Sequence, residues 1–316
     1  MAVNIARIEH ENSIQWGRQL EGKITLLPIP CTTTGELISN YSPSELKSMT
    51  GAEVTVEEIK ILSPVTTNQQ FVCQGANYRQ HMIESGVDPD AKTFNMIFTK
   101  AQSCICPANN PVIRPRHVAL LDYEVELGLV LKQAIDHPIE IRPESITDYV
   151  AGLVIVNDYS ARDVQIPQMQ FYKGKSFRTF GPVGPWLCLL EQNDEKHLLN
   201  LNLELKVDGE IRQQDNTRNL VFQPAETLSE LSGVQNFAPG DLLATGTPAG
   251  CALAAPSPRV QRLMGLIPEK TKWRLFVNAQ SKRSQYLQPG QTVTTSIRSE
   301  CGTINLGTQS NLVIAE

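Results

Sequence analysis

The sequence has no long basic run, no hydrophobic stretch long enough to cross a membrane and no internal repeat. Its formal net charge is -5 over 316 residues, which disfavours a nucleic acid or an anionic membrane as the partner, so a small molecule is expected instead. A membrane span would need about 20 consecutive apolar residues. The first twenty residues carry charged side chains without an apolar core, so we expect no signal peptide and a cytoplasmic location.

The cysteines lack the paired spacing of a zinc site. Cys104 and Cys106 form a C-x-C, but no second pair accompanies them among the seven cysteines. An odd number of scattered cysteines predicts reduced thiols rather than a disulfide framework.

Long amphipathic helices are scarce. From Phe71 onward, short strand-like runs punctuated by Pro and Gly predict a β-rich α+β domain with short helices. A strand-like start and a helix signal at Ser42 predict a small N-terminal domain over residues 1–67, with the main domain over 68–316. The pair Asp208-Gly209 between two strand-like runs predicts a hairpin with a type I′ turn.

The segment 256–283 differs from its surroundings because it carries seven Lys and Arg residues with partly helical spacing. Three interpretations stay open for this basic segment: a lid, an oligomer contact or a solvated excursion. Its charge also hints at a substrate that carries a second anionic group.

Three acidic residues dominate the candidate chemistry. In the strand-like run 121–131, Glu124 and Glu126 share one face, opposite the apolar residues, and Asp158 ends a second apolar run. No run of Lys or Arg lies beside these acids in the sequence, and clustered anions in a half-buried strand are costly unless something neutralises them. A hard cation with oxygen ligands is therefore predicted. The alternative is that Glu124 is exposed and Asp158 caps a turn, neutralised by Arg162.

A candidate general base lies in the segment 75–86. The segment predicts a short helix that Asn77 caps and Gly86 ends. His81 and Glu84 are three residues apart, so a carboxylate can orient an imidazole that activates water. The same spacing is common on solvated helices, which is the alternative.

Two further segments suit an anionic ligand. Lys175 follows Gly174, but Met169 stands where a phosphate-binding loop needs glycine, so Lys175 is interpreted as a point charge that stabilises a developing anion. Gly246 and Thr247 lie in a loop rich in Gly and Thr whose N–H groups and hydroxyls suit an anion. A surface lysine and an ordinary turn are the alternatives.

Five motifs in order, at residues 77–84, 122–128, 157–163, 174–177 and 245–250, closely resemble the fumarylacetoacetate hydrolase family. The order and the spacing match across roughly residues 70–316. The resemblance implies an unusual β-rich roll as the catalytic domain, a variable N-terminal domain and a homodimer. It also implies one Mg²⁺ or Mn²⁺ per subunit, bound by Glu124, Glu126 and Asp158.

The resemblance implies roles for eight more residues. The implied catalytic residues are His81 and Glu84 on a mobile lid, together with Lys175. The implied substrate-binding residues are Tyr78, Lys100, Arg162, Gly246 and Thr247.

The expected activity is hydrolysis of the carbon–carbon bond of an acylpyruvate, a 2,4-dioxo acid of the fumarylpyruvate type, to pyruvate and a carboxylic acid. Two alternatives use the same enolate chemistry: isomerisation of a 2-hydroxydienoate, or decarboxylation of a 2-oxo diacid such as oxaloacetate, in the degradation of aromatic compounds. A further alternative is a non-catalytic binding protein that a metal stabilises.

Overall fold

The structure, a computed structural model, describes residues 2–254, 265 and 267–316. Its strands occur along the whole described chain, and its longest described helix has 12 residues. The predicted β-rich α+β fold with short helices is therefore confirmed.

The first 62 residues form strands β1 to β5 and two short helices. The strands are β1 (Val3–His10), β2 (Ser13–Leu20), β3 (Lys23–Leu26), β4 (Glu53–Thr55) and β5 (Lys60–Leu62). The helices are α1 (Thr34–Asn40) and α2 (Pro43–Ser48). Ser42 begins α2 through a reciprocal capping box with Glu45, as the sequence signal at Ser42 predicted.

The largest sheet continues from β1 into the rest of the chain. Its further strands are β6 (Phe71–Gly75), β7 (Met96–Thr99), β8 (Ile105–Pro107), β11 (Val125–Leu131), β12 (Val150–Asn157), β14 (Gly181–Val183), β15 (Leu187–Leu189) and β18 (Leu242–Ala244). The order along the sheet is β4-β3-β2-β1-β15-β12-β11-β18-β6-β7, with β5, β8 and β14 branching from it. The proposed domain division at residue 67 stays a prediction.

A second sheet of five strands packs against the first. It contains β9 (Val112–Arg114), β16 (Leu201–Val207), β17 (Glu210–Asn216), β19 (Thr292–Ser299) and β20 (Asn305–Ala315), in the order β17-β16-β19-β20-β9. Asp208 and Gly209 have φ angles of 50° and 86°, so the predicted type I′ hairpin between β16 and β17 is confirmed. A short pair, β10 (Leu121–Asp122) with β13 (Ser160–Ala161), lies apart from both sheets.

The remaining helices are short and connect strands. They are α3 (Arg79–Glu84), α4 (Arg162–Gln168), α5 (Phe171–Lys175), α6 (Glu195–Leu198), α7 (Pro224–Ser232) and α8 (Glu269–Gln280). Short 3-10 helices occur at Val56–Glu58, Gln102–Cys104, Pro143–Asp148 and Thr217–Asn219.

Strands β11 and β12 form the centre of the molecule and are buried along their whole length. Leu127 and Leu129 share a hydrophobic cluster with residues of β16, whereas Val130 shares a second cluster with Leu37 and Leu46 of the N-terminal helices. The prediction of a half-buried strand is therefore wrong, because the second sheet and the N-terminal helices cover both faces.

The register of these two strands brings the acidic residues together. Val125 at the start of β11 pairs with Asn157 at the end of β12. Glu124 and Asp158, which flank that pair, therefore meet at one end of the sheet, and the N–H of Asp158 donates to the carbonyl of Glu124 over 2.8 Å.

The predicted basic segment 256–283 lies partly outside the described residues, at 256–264 and 266. Its helical spacing is confirmed by α8. Phe276 on α8 is buried and belongs to the main hydrophobic cluster, and Trp273 and Val277 pack against that cluster. The interpretation as a solvated excursion is thus wrong for α8.

All seven cysteines are free, as the sequence predicted. Among the described residues, no helix has both the length and the apolar composition that a membrane span requires.

Candidate active site

A cavity of about 370 Å³ opens where the acidic end of β11 meets α3, α4, α5 and the loop after β18. Its polar lining residues are Gln74, His81, Glu84, Ser85, Glu124, Glu126, Arg162, Gln165, Lys175 and Thr247. Seven of the eleven predicted site residues thus border one cavity, among them Thr247 from the distant glycine-rich loop.

Glu124, Glu126 and Asp158 form a compact buried cluster. One carboxylate oxygen from each lies within 4.8 Å of the others. Glu126 accepts a hydrogen bond from the N–H of Gly246 over 2.9 Å, and the N–H of Glu124 donates to the side chain of Asn157 over 3.0 Å. The three predicted metal ligands are therefore brought together by strand pairing and by the loop after β18.

Three cationic side chains, those of Lys100, Arg162 and Lys175, surround this cluster. Lys175 Nζ donates to Glu124 Oε2 and to Asp158 Oδ2, each over 2.5 Å. Lys100 Nζ donates to Asp158 and also, over 2.8 Å, to the carbonyl of Phe180. The absence of a basic run beside the acids in the sequence therefore does not leave them without cations, because Lys175 lies 51 residues from Glu124 and 17 from Asp158, and Lys100 lies 58 residues from Asp158.

Arg162 forms a fork between two carboxylates. Its Nε donates to Asp122 Oδ2 over 2.8 Å, and its terminal nitrogens donate to Glu124 and, over 2.8 Å, to Gln165. It does not pair with Asp158, so the alternative in which Arg162 neutralises a turn-capping Asp158 is wrong. Asp122, which the sequence analysis did not select, is held by the N–H groups of Ala252 and Leu253.

The charges of the neighbours act differently on the two glutamates. Burial alone would raise the pKa of Glu124, but Arg162 and Lys175 more than offset it and hold the pKa below its ordinary value. Burial, together with the negative charges of Asp158 and Glu124, raises the pKa of Glu126 well above its ordinary value.

This donor set fits a divalent metal. Four buried carboxylates, those of Asp122, Glu124, Glu126 and Asp158, face three cations, so one negative charge has no partner when all four are ionised. Among the described residues no Lys or Arg pairs with Glu126, so that excess resides there. Three clustered carboxylates supply the hard oxygen ligands that Mg²⁺ and Mn²⁺ prefer.

His81 and Glu84 lie on α3 and both line the cavity. His81 Nδ1 is buried without a hydrogen-bond partner, and burial lowers the pKa of the imidazole. Glu84 instead accepts a hydrogen bond from the N–H of Gly250 over 3.4 Å, and no hydrogen bond joins the two side chains in the described structure. Their predicted partnership therefore stays a prediction.

The ends of α3 differ in part from the expectation. Tyr78 rather than Asn77 occupies the first capping position, so the predicted cap is wrong. The Asn77 side chain instead donates to the carbonyls of Phe222 and Thr245 and accepts from the N–H of Phe222, which ties α3 to the loop after β18. Gly86 follows the helix with a φ of 78°, as predicted for its end.

Thr247 lines the cavity with an oriented hydroxyl. Gln213 Nε2 donates to Thr247 Oγ1 over 2.9 Å and to the carbonyl of Pro248 over 2.8 Å. The amide of Gln213 is itself oriented, because its oxygen accepts from the N–H of Val125 over 3.0 Å. Thr247 therefore accepts from Gln213 and has its own proton available for donation into the cavity. Nothing in the sequence pattern pointed to Gln213, which contacts Thr247 from another sheet.

Three predicted substrate-binding residues do not line the cavity. Tyr78 is fully buried, and its hydroxyl has no hydrogen-bond partner among the described residues. Lys100 lies behind Asp158, with its ammonium 5.5 Å from the centroid of the Phe71 ring. The N–H of Gly246 donates to Glu126. Gly246 has a φ of 88°, and a Cβ added to it would lie 2.9 Å from the side chain of Asn77. Their roles in substrate binding stay predictions.

The family model described as fumarylacetoacetate (FAA) hydrolase C-terminal matches residues 70–314. The chain belongs to the fumarylacetoacetate hydrolase family. The resemblance identified from the sequence motifs is thereby confirmed. Members of this family are enzymes that act on small molecules and typically bind divalent metals.

Individual relatives agree with this assignment. An uncharacterized protein of Methanocaldococcus jannaschii is 34% identical over 213 residues, which cover 67% of this chain and 83% of that relative. The solved fumarylacetoacetate hydrolase of Exiguobacterium antarcticum has a TM-score of 0.75 and 25% identity, covering 99% of this chain and 100% of that one. A 2-hydroxyhepta-2,4-diene-1,7-dioate isomerase of Mycobacterium marinum shares the fold, with a TM-score of 0.71 and 21% identity over 99% of both chains.

Proposed function

We propose that this member of the fumarylacetoacetate hydrolase family is a divalent-metal-dependent hydrolase that cleaves an acylpyruvate to pyruvate and a carboxylic acid. The observation that carries the proposal is the buried cluster of Glu124, Glu126 and Asp158, which cations surround and whose two glutamates border the same cavity as His81. Such a cluster suits binding of a 2-oxo acid next to a potential general base.

Glu124, Glu126 and Asp158 would hold the metal, Mg²⁺ or Mn²⁺. When bound, it supplies Lewis-acid polarisation of the oxygens of a 2-oxo acid. Burial lowers the pKa of Lys175, but Asp158 and Glu124 raise it further, and the net shift is upward. Lys175 therefore remains a cation and stabilises the negative charge that develops on the substrate during cleavage.

His81 is the proposed general base. Burial lowers its pKa, so the imidazole is neutral at pH 7 and can accept a proton from water. The oxygen of that water forms a bond to the acyl carbon, and the bond between the acyl carbon and C3 breaks. The electron pair moves to C3 as the enolate of pyruvate, which then takes up a proton.

Thr247 and Arg162 are the proposed substrate-orienting residues. The hydroxyl of Thr247 accepts from Gln213, so its proton is directed to an acceptor such as the substrate carboxylate. Arg162 lines the cavity while its fork holds Asp122 and Glu124, and so it fixes the carboxylate of Glu124. Lys100 and Gly246 act on Asp158 and Glu126 respectively, behind the surface that a substrate would contact.

A second candidate is an isomerase or a decarboxylase that acts on 2-oxo or 2-hydroxydienoate diacids. It is favoured by one observation, that His81 and Glu84 are not hydrogen-bonded to each other, because the pair would have to assemble before it could activate water. Both activities pass through a stabilised enolate that then takes up a proton on carbon, and neither requires attack by water. A homodimer and a cytoplasmic location remain part of the proposal.

Product analysis separates these candidates. Chelator-stripped protein is incubated with acylpyruvates, fumarylpyruvate or oxaloacetate, with added Mg²⁺ or Mn²⁺, and pyruvate, carboxylic acid and carbon dioxide are measured. Equal amounts of pyruvate and carboxylic acid are the expected result. Carbon dioxide from oxaloacetate alone would establish a decarboxylase, and no product from any of these acids would contradict hydrolysis and leave an isomerase or a metal-stabilised binding protein.

A further inference from the structure

The cavity has a second, apolar half that the proposed chemistry does not use. We define the apolar lining as Met96, Phe98, Ile166, Phe171, Leu253 and Phe276. These residues come from β7, α4, α5, the loop after β18 and α8, so five separate segments converge on one feature. Convergence of this kind is typical of the part of a pocket that recognises the apolar portion of a ligand.

Most of the apolar lining is only partly buried. Phe276 is 8% exposed, whereas the other five residues are half-buried. Removing apolar surface from water, as when an apolar ligand covers it, is favourable by roughly 25 cal/mol per Å² in free energy. The lining therefore favours a ligand that carries an apolar group.

The apolar lining begins next to the charged end of the cavity. Lys175 Nζ lies 5.2 Å from the centroid of the Phe98 ring, and Phe98 packs edge-on against Phe171 with centroids 4.9 Å apart. A 2-oxo acid bound at Lys175 would place its next carbon atoms against these two rings.

Among the described lining residues, a second carboxylate would find no free cation. Arg162 and Lys175 are the cations among the described lining residues, and each already pairs with two carboxylates. Glu84 adds a further negative charge to the lining. The basic residues of α8 do not line the cavity, although Phe276 of the same helix does, and Lys272 instead stacks 4.2 Å from the ring of Trp273.

We propose that the substrate is a 2-oxo acid with an apolar alkyl or aryl acyl group in place of a second carboxylate. The inference rests on the proposed function for the location of the oxo acid, and it narrows the acylpyruvates to those with an apolar acyl chain. It reverses the hint from the basic segment, which suggested a substrate with a second anionic group.

The direct test compares the binding of two uncleavable acids, 2-oxohexanoate and 2-oxohexanedioate, which differ at one end by a methyl group and a carboxylate. Affinities for the wild-type protein are measured by calorimetry in the presence of Mg²⁺. We expect 2-oxohexanoate to bind at least about tenfold more tightly, since a contact of this size in an apolar pocket changes affinity by roughly 10- to 200-fold. Equal affinities, or tighter binding of 2-oxohexanedioate, would overturn the inference.

A matched pair of variants on α8 tests the apolar contact itself. Phe276→Ala should weaken 2-oxohexanoate binding about tenfold and leave the affinity for pyruvate within about twofold. Leu275→Ala, on the same helix but 45% exposed and outside the lining, should change neither affinity. Equal effects of both substitutions on 2-oxohexanoate would remove Phe276 from the binding site, and thermal melting controls for folding.

A second pair tests the charge argument on exposed positions that tolerate substitution. Val87 lines the cavity and is 37% exposed, whereas Ile83 is 52% exposed and does not line it. Val87→Arg should raise the affinity for 2-oxohexanedioate by about fivefold, as one exposed ion pair allows, and Ile83→Arg should not. An unchanged affinity in Val87→Arg would contradict the view that a missing cation excludes a second carboxylate.

These results separate the inference from the proposed function. If 2-oxohexanoate is preferred but no acylpyruvate is cleaved, the inference holds and hydrolysis is wrong. If acylpyruvates are cleaved but 2-oxohexanedioate is preferred, hydrolysis holds and the inference is wrong. Failure of both acids to bind would overturn the inference together with the placement of the oxo acid.

Discussion

The ammonium of Lys175 lies 2.5 Å from a carboxylate oxygen of Glu124, and both side chains are buried. The same ammonium lies 2.5 Å from Asp158, so one cation joins two of the three predicted metal ligands. Glu126 is the member of the cluster that no Lys or Arg neutralises within the described structure. A divalent metal would supply the missing positive charge, and the predictions below follow from this imbalance.

Glu126→Gln should stabilise the metal-free protein in a way that depends on pH. Burial and the charges of Asp158 and Glu124 raise the pKa of Glu126, so the folded state holds this proton more tightly than the unfolded state. Between the ordinary pKa of a carboxyl group and the raised value, increasing pH therefore lowers the free energy of unfolding. The advantage of the variant over wild type should grow through that window, as measured by thermal melting of chelator-stripped protein.

Mg²⁺ or Mn²⁺ provides the control for this prediction. The metal should raise the melting temperature of wild-type protein and leave Glu126→Gln almost unchanged, because a bound ligand stabilises only the state that binds it. Identical dependence of the melting temperature on pH for the two metal-free proteins would show that Glu126 carries no uncompensated charge.

His81→Ala should lower kcat by roughly 10²- to 10⁴-fold and leave KM nearly unchanged, as expected for loss of a general base. Burial lowers the pKa of His81 below its ordinary 6.5, so the active neutral form persists as pH falls toward that value. The acid limb of kcat/KM should therefore lie below pH 6.5. A variant with raised KM and normal kcat would instead make His81 a binding residue.

Gln213→Leu should raise KM about tenfold for a 2-oxo acid, since a lost hydrogen bond to a charged group costs about 1.5 kcal/mol or more. Gln213 orients the hydroxyl of Thr247, so Thr247→Val should have a similar effect and the double variant should not be additive. Gln214→Leu, exposed on the same strand, is the matched control. Additive effects of the two substitutions on KM would mean that Gln213 does not act through Thr247.

Arg162→Met should lower the free energy of unfolding by about 3–5 kcal/mol, because it leaves Asp122 and Glu124 as poorly compensated buried charges. Arg79→Met breaks an ion pair with Asp90 in which the side chains are 52% and 71% exposed, and the expected loss is much smaller because solvent screens the pair. Chemical denaturation of both variants measures the difference. Similar losses in the free energy of unfolding would mean that Arg162 does not compensate the buried charges of Asp122 and Glu124.

Local features of the fold were predictable because neighbouring residues determine them. The turn at Asp208-Gly209 and the capping box of Ser42 with Glu45 depend on a few consecutive residues, and both are present. The clustering of Glu124 and Asp158 depends instead on the pairing of β11 with β12, because the sequence shows only an acid beside each apolar run and the register brings the two acids to one end of the sheet.

Contacts between distant segments were not predictable in the same way. The distances in sequence from Arg162 and Lys175 to Glu124 are 38 and 51 residues, and no periodicity reports such a pairing. Asn77 is a residue type that often caps helices, but its side chain instead donates to a carbonyl in a loop about 170 residues later. The apolar lining, with Phe276 from the basic segment, likewise depends on how separate elements pack.

The most direct test of the central claim titrates Mg²⁺ into chelator-stripped protein and follows pyruvate and carboxylic acid release from an acylpyruvate with an alkyl acyl group. We expect no turnover without metal, saturation at one ion per chain, and equal amounts of the two products. Full activity in the stripped protein, or loss of substrate without release of a carboxylic acid, would contradict metal-dependent carbon–carbon bond hydrolysis.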